Sequence, residues 1–168
     1  MFEGVYMNKR KLIISVIALV IDQITKLLVQ TYNARISIID NFFSIRYFQN
    51  TGAAWSILEG KTTLLVAVSL IMLVFVYSMM FSFDEDKLSD TAFGLLFGGV
   101  LGNLIDRIFY GFVRDFIAVR IFSYNYPIFN IADAAIVIGV ILLIIATIKG
   151  DIKNGNSSKR RRSISKNR

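Results

Sequence analysis

Four long apolar stretches constrain the fold of this chain more than any other feature of its sequence. Each approaches the ~20 residues that a helix needs to cross ~30 Å of hydrocarbon. The chain is 55% hydrophobic with a mean hydropathy of +0.58, and both values are high for a soluble protein. The pattern predicts an all-α integral membrane protein, with a single domain of four transmembrane helices over residues 1–150. The predicted helices span about Leu12–Val29, Thr62–Phe83, Thr91–Phe109 and Ile131–Ile148.

The Lys and Arg residues are divided unequally between the predicted loops. If both termini face the cytoplasm, 12 of the 19 basic residues are cytoplasmic and 5 lie in the outer loops. Because cytoplasmic loops carry an excess of Lys and Arg, this division predicts that both termini are cytoplasmic. The net charge of +7 then reflects topology and gives no reason to expect a nucleic-acid partner. Residues 151–168 are rich in Lys, Arg and Ser, and we expect a basic, disordered cytoplasmic tail there.

The segment 35–56, between the first two predicted helices, has the composition of β-structure. Apolar and polar residues partly alternate over residues 35–49, and β-branched and aromatic types are frequent. Asn50 and Gly52 then mark a turn, and Trp55 suits the headgroup region of a membrane. We therefore expect a small β-rich cradle of short strands at the outer membrane surface.

The third predicted helix carries a polar stripe near its outer end. Asn103 and Arg107 are four residues apart and Asp106 is three from Asn103, so the three side chains project from roughly one side. Gly98 and Gly102 form a small-xxx-small face that lets another helix approach closely. A polar stripe at this depth needs a partner or a water-filled groove.

Asp22 and Lys26 lie four residues apart in the first predicted helix, which is the spacing of an intrahelical ion pair. Pairing lowers the cost of both charges in lipid, so we expect this pair to have a structural role. Asp106 and Arg107 also fit an interface anchor, although Arg107 is well suited to offer hydrogen-bond donors to a substrate carbonyl.

Asp115 and Asp133 lie at the adjoining ends of the third and fourth predicted helices, in a chain with no histidine and no cysteine. Neighbouring antiparallel helices bring such ends together. Two close carboxylates do not both ionise cheaply, so one keeps a proton and the pair becomes an acid and a base. We therefore predict carboxylate chemistry at the outer interface, with no metal and no cofactor, because the usual nitrogen and sulfur ligands are absent.

Both aspartates also admit non-catalytic interpretations. Asn130 and Asp133 have the spacing of an N-cap and an N3 residue, an arrangement that the helix dipole favours. The two interpretations of Asp133 are compatible, since a helix N-terminus favours a charged carboxylate. Asp115, taken alone, also fits a surface ion pair with Arg114 or Arg120.

Five motifs follow one another along the chain: DQITK (22–26), NTGAAWS (50–56), GGVLGNLIDR (98–107), VRDFI (113–117) and FNIADAA (129–135). In this order and spacing they resemble lipoprotein signal peptidase, the bacterial signal peptidase II, also called prolipoprotein signal peptidase. The resemblance covers about Ile21–Ala135 and implies four transmembrane helices with a β-rich cradle on the outer side. It implies a membrane aspartyl endopeptidase that removes signal peptides from prolipoproteins on the amino side of the diacylglyceryl-modified lipobox cysteine. The implied location is the bacterial cytoplasmic membrane, with both termini cytoplasmic and the active site at the outer face.

The resemblance also assigns roles to individual residues. The catalytic aspartates of the family fall on Asp115 and Asp133. The expected partners are diacylglyceryl-modified prolipoproteins, membrane lipids and, as inhibitors, cyclic peptide antibiotics of the globomycin type. The residues expected to bind substrate or to support the site are Asp22, Lys26, Asn50, Gly52, Gly99, Asn103, Asp106, Arg107 and Asn130.

Arg114 departs from the family pattern, in which an apolar residue is more usual beside the first aspartate. A cation at this position either lowers the pKa of Asp115 or points outward to lipid headgroups. We expect the outward orientation.

Two other function classes are compatible with a membrane protein of this size. A small proton-coupled transporter would use Asp22, Asp106 and Asp133 as a relay, and it predicts carboxylates spread through the membrane depth. A non-enzymatic scaffold leaves the polar stripe of the third helix without a purpose. The clustering of acids at the outer side favours the enzyme over both.

Overall fold

A computed structural model of the protein describes residues 7–52, 57–83 and 86–166. Four helices in this part of the chain are long and apolar enough to cross a membrane. The prediction of four spans is confirmed, and the first three helices begin and end within four residues of the predicted limits. The helices are α1 (Lys9–Thr31), α2 (Thr62–Met79, followed by a 3-10 turn at Met80–Ser82), α3 (Lys87–Tyr110) and α4 (Ile131–Lys166).

Large apolar side chains cover the exposed faces of the three peripheral helices. Ile17 of α1, Ile71 of α2 and Ile144 of α4 are 52%, 68% and 53% exposed. Continuous apolar surface on helices of this length suits contact with lipid tails and would be unfavourable in water. The chain is therefore a multi-pass membrane protein.

Helix α3 lies at the centre of the bundle. The other three helices pack against it. In its apolar segment 61% of the residues are buried inside the protein, against 17–22% in the apolar segments of the other three helices. A Cβ on Gly98 would lie 2.5 Å from the carbonyl oxygen of Ser15 in α1, and a Cβ on Gly99 would lie 2.6 Å from that of Ala132 in α4. Only glycine fits at these distances, so the close helix approach predicted for Gly98 is confirmed.

A four-stranded antiparallel sheet lies at the end of the bundle where α1 and α3 finish. Two strands follow α1 and two follow α3, in the spatial order β1-β2-β3-β4. Between β2 and β3, Phe48 is opposite Asp115 and Asn50 is opposite Val113. The strands are β1 (Arg35–Ile39), β2 (Phe43–Asn50), β3 (Val113–Ile121) and β4 (Tyr124–Asn125).

The sheet is larger than the sequence analysis predicts. β1 and β2 confirm the strands expected within residues 35–56, whereas β3 and β4 are not anticipated. Gly111, with φ of 80°, ends α3 and lets the chain turn back as β3, so Asp115 lies on a strand and not at a helix end. Residues 53–56 lie outside the described residues, and the headgroup position of Trp55 stays a prediction.

Helix α4 is longer than its apolar stretch. It continues to Lys166, so residues 151–166 are helical where we expect a disordered tail. Lys, Arg and Ser are compatible with a helix, and no proline interrupts the run. The apolar part of the helix, Ile131–Lys149, is the candidate span.

Candidate functional site

Asp115 and Asp133 line one cavity of about 760 Å³, which we call the central cavity, where the start of α4 meets strand β3. Asn130, directly before α4, contacts both carboxylates. Its Nδ2 donates to Asp115 Oδ1 at 2.6 Å, and its backbone N–H donates to Asp133 Oδ2 at 3.1 Å. Two acids that the sequence relates only by their positions along the chain therefore share a neighbour in space.

Asn130 and Asp133 form a reciprocal cap at the start of α4. Asn130 Oδ1 accepts a hydrogen bond from the backbone N–H of Asp133 at 2.9 Å, and Asp133 Oδ2 accepts from the backbone N–H of Asn130. This is a capping box, so the N-cap interpretation is confirmed. It is compatible with a role in the cavity, because Asp133 Oδ1 accepts separately from Asn103 Nδ2 at 2.7 Å.

Two amide side chains hold Asp115 at the start of β3. Asn50 Nδ2, at the end of β2, donates to Asp115 Oδ2 at 2.8 Å, and Asn130 donates to Oδ1. Asp115 is only 1% exposed, and burial raises its pKa from the ordinary 3.8 to about 7. The nearby charge of Asp133 adds to the rise, while the two amide donors oppose it. Near neutral pH, Asp115 therefore retains a proton for roughly half of the time.

Arg114 is buried and does not point outward to lipid headgroups, which corrects the expectation. Its guanidinium forms a fork on Asp106, with Nη2–Oδ1 at 2.6 Å and Nε–Oδ2 at 3.2 Å. Nη2 also donates to Gln23 Oε1 at 2.8 Å, and the guanidinium carbon lies 4.3 Å from the ring centre of Tyr110. The buried carboxylate of Asp106 requires a cation, and Arg114 is near enough in sequence to supply it.

The surface ion pair considered for Asp115 does not form. Adjacent strand residues project to opposite faces, so Arg114 and Asp115 point apart. Arg120 is exposed and lies five residues further along β3. The ion pairs found among the described residues do not include Asp115.

Lys26 connects α1 to the site. Its Nζ lies 2.8 Å from Asp22 Oδ2, 3.3 Å from Asp106 Oδ2 and 2.9 Å from Asn103 Oδ1. All three N–H groups of this fully buried ammonium therefore have an acceptor. The predicted Asp22–Lys26 ion pair is confirmed. Asp22 Oδ1 also accepts from the backbone N–H of Ala132 at 2.9 Å, which ties α1 to the start of α4.

Asp22, Lys26, Asp106 and Arg114 form a buried charge cluster with two acids and two bases. The cluster has no net formal charge, which is the condition under which buried ions are tolerated. Its contact with Asn103 fixes that amide. Because Asn103 Oδ1 accepts from Lys26, its Nδ2 is directed at Asp133.

The polar stripe predicted on α3 divides between two environments. Asn103 and Arg107 line the central cavity, whereas Asp106 faces the charge cluster. Arg107 Nη2 donates to the carbonyl oxygen of Gly52 at 3.3 Å, and Gly52 N–H donates to Asn50 Oδ1 at 3.0 Å. Arg107 Nε is buried and has no hydrogen-bond partner among the described residues. Arg107 thus lines the central cavity and has one buried N–H group that no described residue accepts from.

Sequence reasoning misses two residues that support the site, Arg114 and Gln23. Gln23 Nε2 lies 3.1 Å from Asp22 Oδ2 and 3.3 Å from Asp106 Oδ1, so it bridges the two acids of the charge cluster. The sequence does contain one signal for Arg114. Asp22 and Asp106 are two acids in predicted helices with only Lys26 to neutralise them, so a second buried cation is needed. Gly99 contributes only close helix packing behind Asp133.

No group of three or more acidic side chains in the described part of the chain is close enough to hold a metal ion. The two carboxylates on the central cavity are instead surrounded by amide and guanidinium donors. Such an arrangement can keep one carboxyl protonated and the other charged at a single position.

Comparisons with known proteins identify the family and the overall fold. The family model described as signal peptidase (SPase) II matches residues 14–149, which include every predicted site residue. A solved structure described as a bacterial membrane enzyme, at 2.3 Å, is 40% identical, covers 86% of this chain and 90% of its own, and has a TM-score of 0.76. A second with the same description, at 1.9 Å, is also 40% identical, covers 86% and 96%, and has a TM-score of 0.74.

Proposed function

Because the chain belongs to the signal peptidase II family of aspartic peptidases, which removes signal peptides from lipoproteins, we propose that Asp115 and Asp133 are its catalytic pair. The proposed bond is the one on the amino side of a diacylglyceryl-modified lipobox cysteine. The observation that carries the proposal is the contact of Asn130 with both carboxylates on the central cavity. The excess of Lys and Arg on the inner side supports cytoplasmic termini and an active site at the outer face.

In the proposed mechanism Asp133 is the base. The N-terminus of α4 favours negative charge at this position. Asp133 takes a proton from water as the water oxygen bonds to the scissile carbonyl carbon. The tetrahedral intermediate then loses its C–N bond, and the leaving amine takes a proton from the pair. No cofactor enters any step.

Asp115 is the proposed acid, since burial keeps its pKa at about 7. Both of its carboxyl oxygens accept hydrogen bonds from amide NH₂ groups, those of Asn50 and Asn130. A proton on Asp115 cannot point toward either amide group, because both amides are hydrogen-bond donors. It is therefore available to the developing oxyanion of the substrate.

Arg107, Asn103 and Asn130 are proposed to hold the substrate backbone. The unpartnered Nε of Arg107 supports this role, because a buried donor without an acceptor is costly unless a ligand satisfies it. Apolar residues on the helix side of the central cavity, Ile136 and Val137, suit the signal peptide and acyl chains. A cyclic peptide antibiotic of the globomycin type would compete for the same space.

The transporter alternative receives no support from the acids that it requires. Asp22 and Asp106 each lie within 3.3 Å of Lys26 Nζ, and Asp106 is also bound by Arg114. Neither Asp22 nor Asp106 lines the central cavity, and both are held in the buried charge cluster away from Asp133. A relay through Asp22, Asp106 and Asp133 is therefore not part of the proposal.

The test is cleavage of a synthetic prolipoprotein by purified protein in lipid nanodiscs. Wild type should cleave the diacylglyceryl-modified substrate and leave the unmodified peptide intact. Asp115→Asn and Asp133→Asn should each lower kcat by about a thousandfold or more, since each removes half of the acid–base pair.

Asp40→Asn is the matched control, because Asp40 is exposed, accepts a hydrogen bond from Ser37 and lies in the turn between β1 and β2, outside the central cavity. It should cleave like wild type. Near-normal cleavage by a folded Asp115→Asn or Asp133→Asn protein would contradict the catalytic pair. Equal cleavage of modified and unmodified substrates would contradict the lipid requirement.

A further inference from the structure

Arg114 binds Asp106 with its backbone as well as with its side chain. Its backbone N–H donates to Asp106 Oδ2 at 2.9 Å, and its guanidinium forms the fork on both oxygens of the same carboxylate. The backbone contact fixes strand β3 itself, one residue before Asp115. Because the peptide unit that joins the two residues is planar and rigid, the position of Arg114 limits the position of Asp115.

The same guanidinium also reaches α1 at two positions. Nη2 donates to Gln23 Oε1 at 2.8 Å, and Nη1 donates to Gln30 Oε1 at 3.2 Å. The two glutamines are seven residues apart, which is about two helical turns, so they lie on one face of α1. All three guanidinium nitrogens therefore have acceptors, and these acceptors belong to α1 and α3.

The hydrogen bonds of Asp115 depend on where β3 begins. Asp115 accepts from Asn50 Nδ2 at 2.8 Å and from Asn130 Nδ2 at 2.6 Å. These donors come from β2 and from the residue before α4, so they do not move with β3. Hydrogen bonds weaken steeply once the angle at the hydrogen falls below about 120°. A small shift or rotation of β3 would therefore weaken both contacts.

Arg114 does not itself line the central cavity. Its side chain is buried, and adjacent strand residues project to opposite faces, so it points away from the face that carries the Asp115 carboxyl. A substrate in the central cavity would therefore meet Asp115 and not Arg114. An effect of Arg114 on the chemical step must act through the position of Asp115.

We infer that Arg114 is a positioning residue for cleavage: its guanidinium holds the start of β3 against α1 and α3 and thereby fixes the Asp115 carboxyl at the central cavity. The inference rests on the proposed function, because it requires that Asp115 take part in the reaction. A guanidinium suits this role better than an ammonium, since its donors lie in a fixed plane. The apolar residue that is more usual at this position in the family could form none of these polar contacts.

The experiment measures kcat and KM separately for Arg114→Met and Arg114→Lys in lipid nanodiscs, with the diacylglyceryl-modified substrate, at a temperature where each variant is folded. Arg114→Met should lower kcat about thirtyfold, because a small misplacement of a catalytic group is costly. KM should stay within about twofold of wild type, since Arg114 does not line the cavity. Arg114→Lys keeps one donor group near Asp106 and should recover part of kcat.

Asp90→Asn is the control for a general loss of stability. Asp90 is 2% exposed and lies 3.5 Å from Lys11 Nζ, at the ends of α1 and α3 that are far from the sheet. Removal of this buried carboxylate should destabilise the protein about as much as Arg114→Met does, but it should leave kcat unchanged.

Gln30→Leu tests the contact with α1 without a change of charge. The variant removes the acceptor of Arg114 Nη1 and leaves the fork on Asp106 in place. It should lower kcat about threefold at an unchanged KM, because β3 is then held less firmly.

The outcomes separate this inference from the proposed function. A folded Arg114→Met protein with wild-type kcat would overturn the inference, as would an equal fall in kcat for Asp90→Asn or a rise in KM alone. If Arg114→Met does not fold, wild-type kcat in both Arg114→Lys and Gln30→Leu would overturn it. Each of these results leaves the proposed function intact. Failure of wild type to cleave any modified substrate would instead contradict the proposed function.

Discussion

Asn130 organises the candidate site at the scale of a single residue. Its Nδ2 donates to Asp115 and to Asn103, its backbone N–H donates to Asp133, and its Oδ1 accepts from the backbone of Asp133. One amide thus sets the positions of both carboxylates, although it carries no charge. It is also fully buried, so these hydrogen bonds do not compete with water.

We predict that cleavage falls as pH rises through about 7. Burial raises the pKa of Asp115 to about 7, so the proposed acid loses its proton above that pH. Each further pH unit should lower kcat/KM about tenfold. The charged groups near Asp115 are Asp133 from α4, Arg107 from α3 and Lys26 from α1. A pH–rate profile measures this, and a flat profile between about pH 7 and 9 would contradict it.

The same pKa determines how Asp115 affects stability. Its folded-state pKa is raised above the ordinary 3.8, so its contribution to stability is complete below pH 4 and is lost as pH rises through about 7. The full loss is about 4 kcal/mol. Asp115→Asn should therefore show a smaller fall in Tm between pH 5 and pH 8 than wild type. The same fall in wild type, Asp115→Asn and Asp40→Asn would be contrary to the raised pKa.

Arg114 is predicted to be essential for the buried charge cluster. Arg114→Met leaves Asp22 and Asp106 with Lys26 as their only cation, and it should lower the free energy of unfolding by about 3 kcal/mol. Arg114→Lys keeps the charge but loses the fork on Asp106, so it should recover only part of the stability. Thermal unfolding in detergent measures both. A Met variant as stable as wild type would mean that the cluster does not need this cation.

At the scale of elements, close contact between α3 and α4 brings Asp133 to the central cavity. Gly99 of α3 lies against Ala132 and Ile136, on either side of Asp133, and Gly139 of α4 lies against Ala92 and Leu96 further along the same interface. A Cβ would lie 2.6 Å from the carbonyl oxygen of Ala132 at Gly99 and 2.9 Å from that of Ala92 at Gly139, so both positions are tight, but only Gly99 is beside the candidate site.

This difference allows a matched pair of variants. In Gly99→Ala the new Cβ would lie 2.6 Å from the carbonyl oxygen of Ala132, so the start of α4 must shift. A displacement of this kind should lower kcat about a hundredfold, because catalytic groups tolerate little misplacement. Gly139→Ala should lower Tm similarly while kcat stays within a few-fold of wild type. Equal kcat values for the two variants would indicate that Gly99 does not position Asp133.

At the scale of the whole molecule, ionic contacts fasten α1 to α3 at both ends. The charge cluster lies at the end near the sheet. At the other end Asp90, which is 2% exposed, accepts from Asn8 at 2.9 Å and Arg10 at 2.9 Å and lies 3.5 Å from Lys11 Nζ. The charge cluster and the ionic contacts of Asp90 are separated by about 20 Å along the helices, given a rise of 1.5 Å per residue.

Asp90→Asn should therefore affect stability without affecting chemistry. It leaves the buried ammonium of Lys11 without its carboxylate and should cost about 3 kcal/mol. The cleavage rate at a temperature where the variant remains folded should equal that of wild type. Thermal unfolding and a cleavage assay on one preparation measure the two effects, and a lowered kcat would show that the end of the bundle near Asp90 is coupled to the site.

The spans, the Asn130–Asp133 cap and the Asp22–Lys26 pair follow from the sequence alone, because each depends on residues within a few positions of one another. Hydropathy and helical spacing are local properties. The five motifs likewise identify the family and the proposed catalytic residues from their own letters.

The tertiary structure alone decided which charges meet. Asp106 faces the charge cluster and not the central cavity, because Lys26 of α1 and Arg114 of β3 bind it there. No pattern of neighbouring residues in the sequence encodes that geometry. Strand β3 forms because β2, more than sixty residues earlier, pairs with it. Arg114 is buried for the same reason, since the free energy of a buried ion depends on partners that only folding brings within reach.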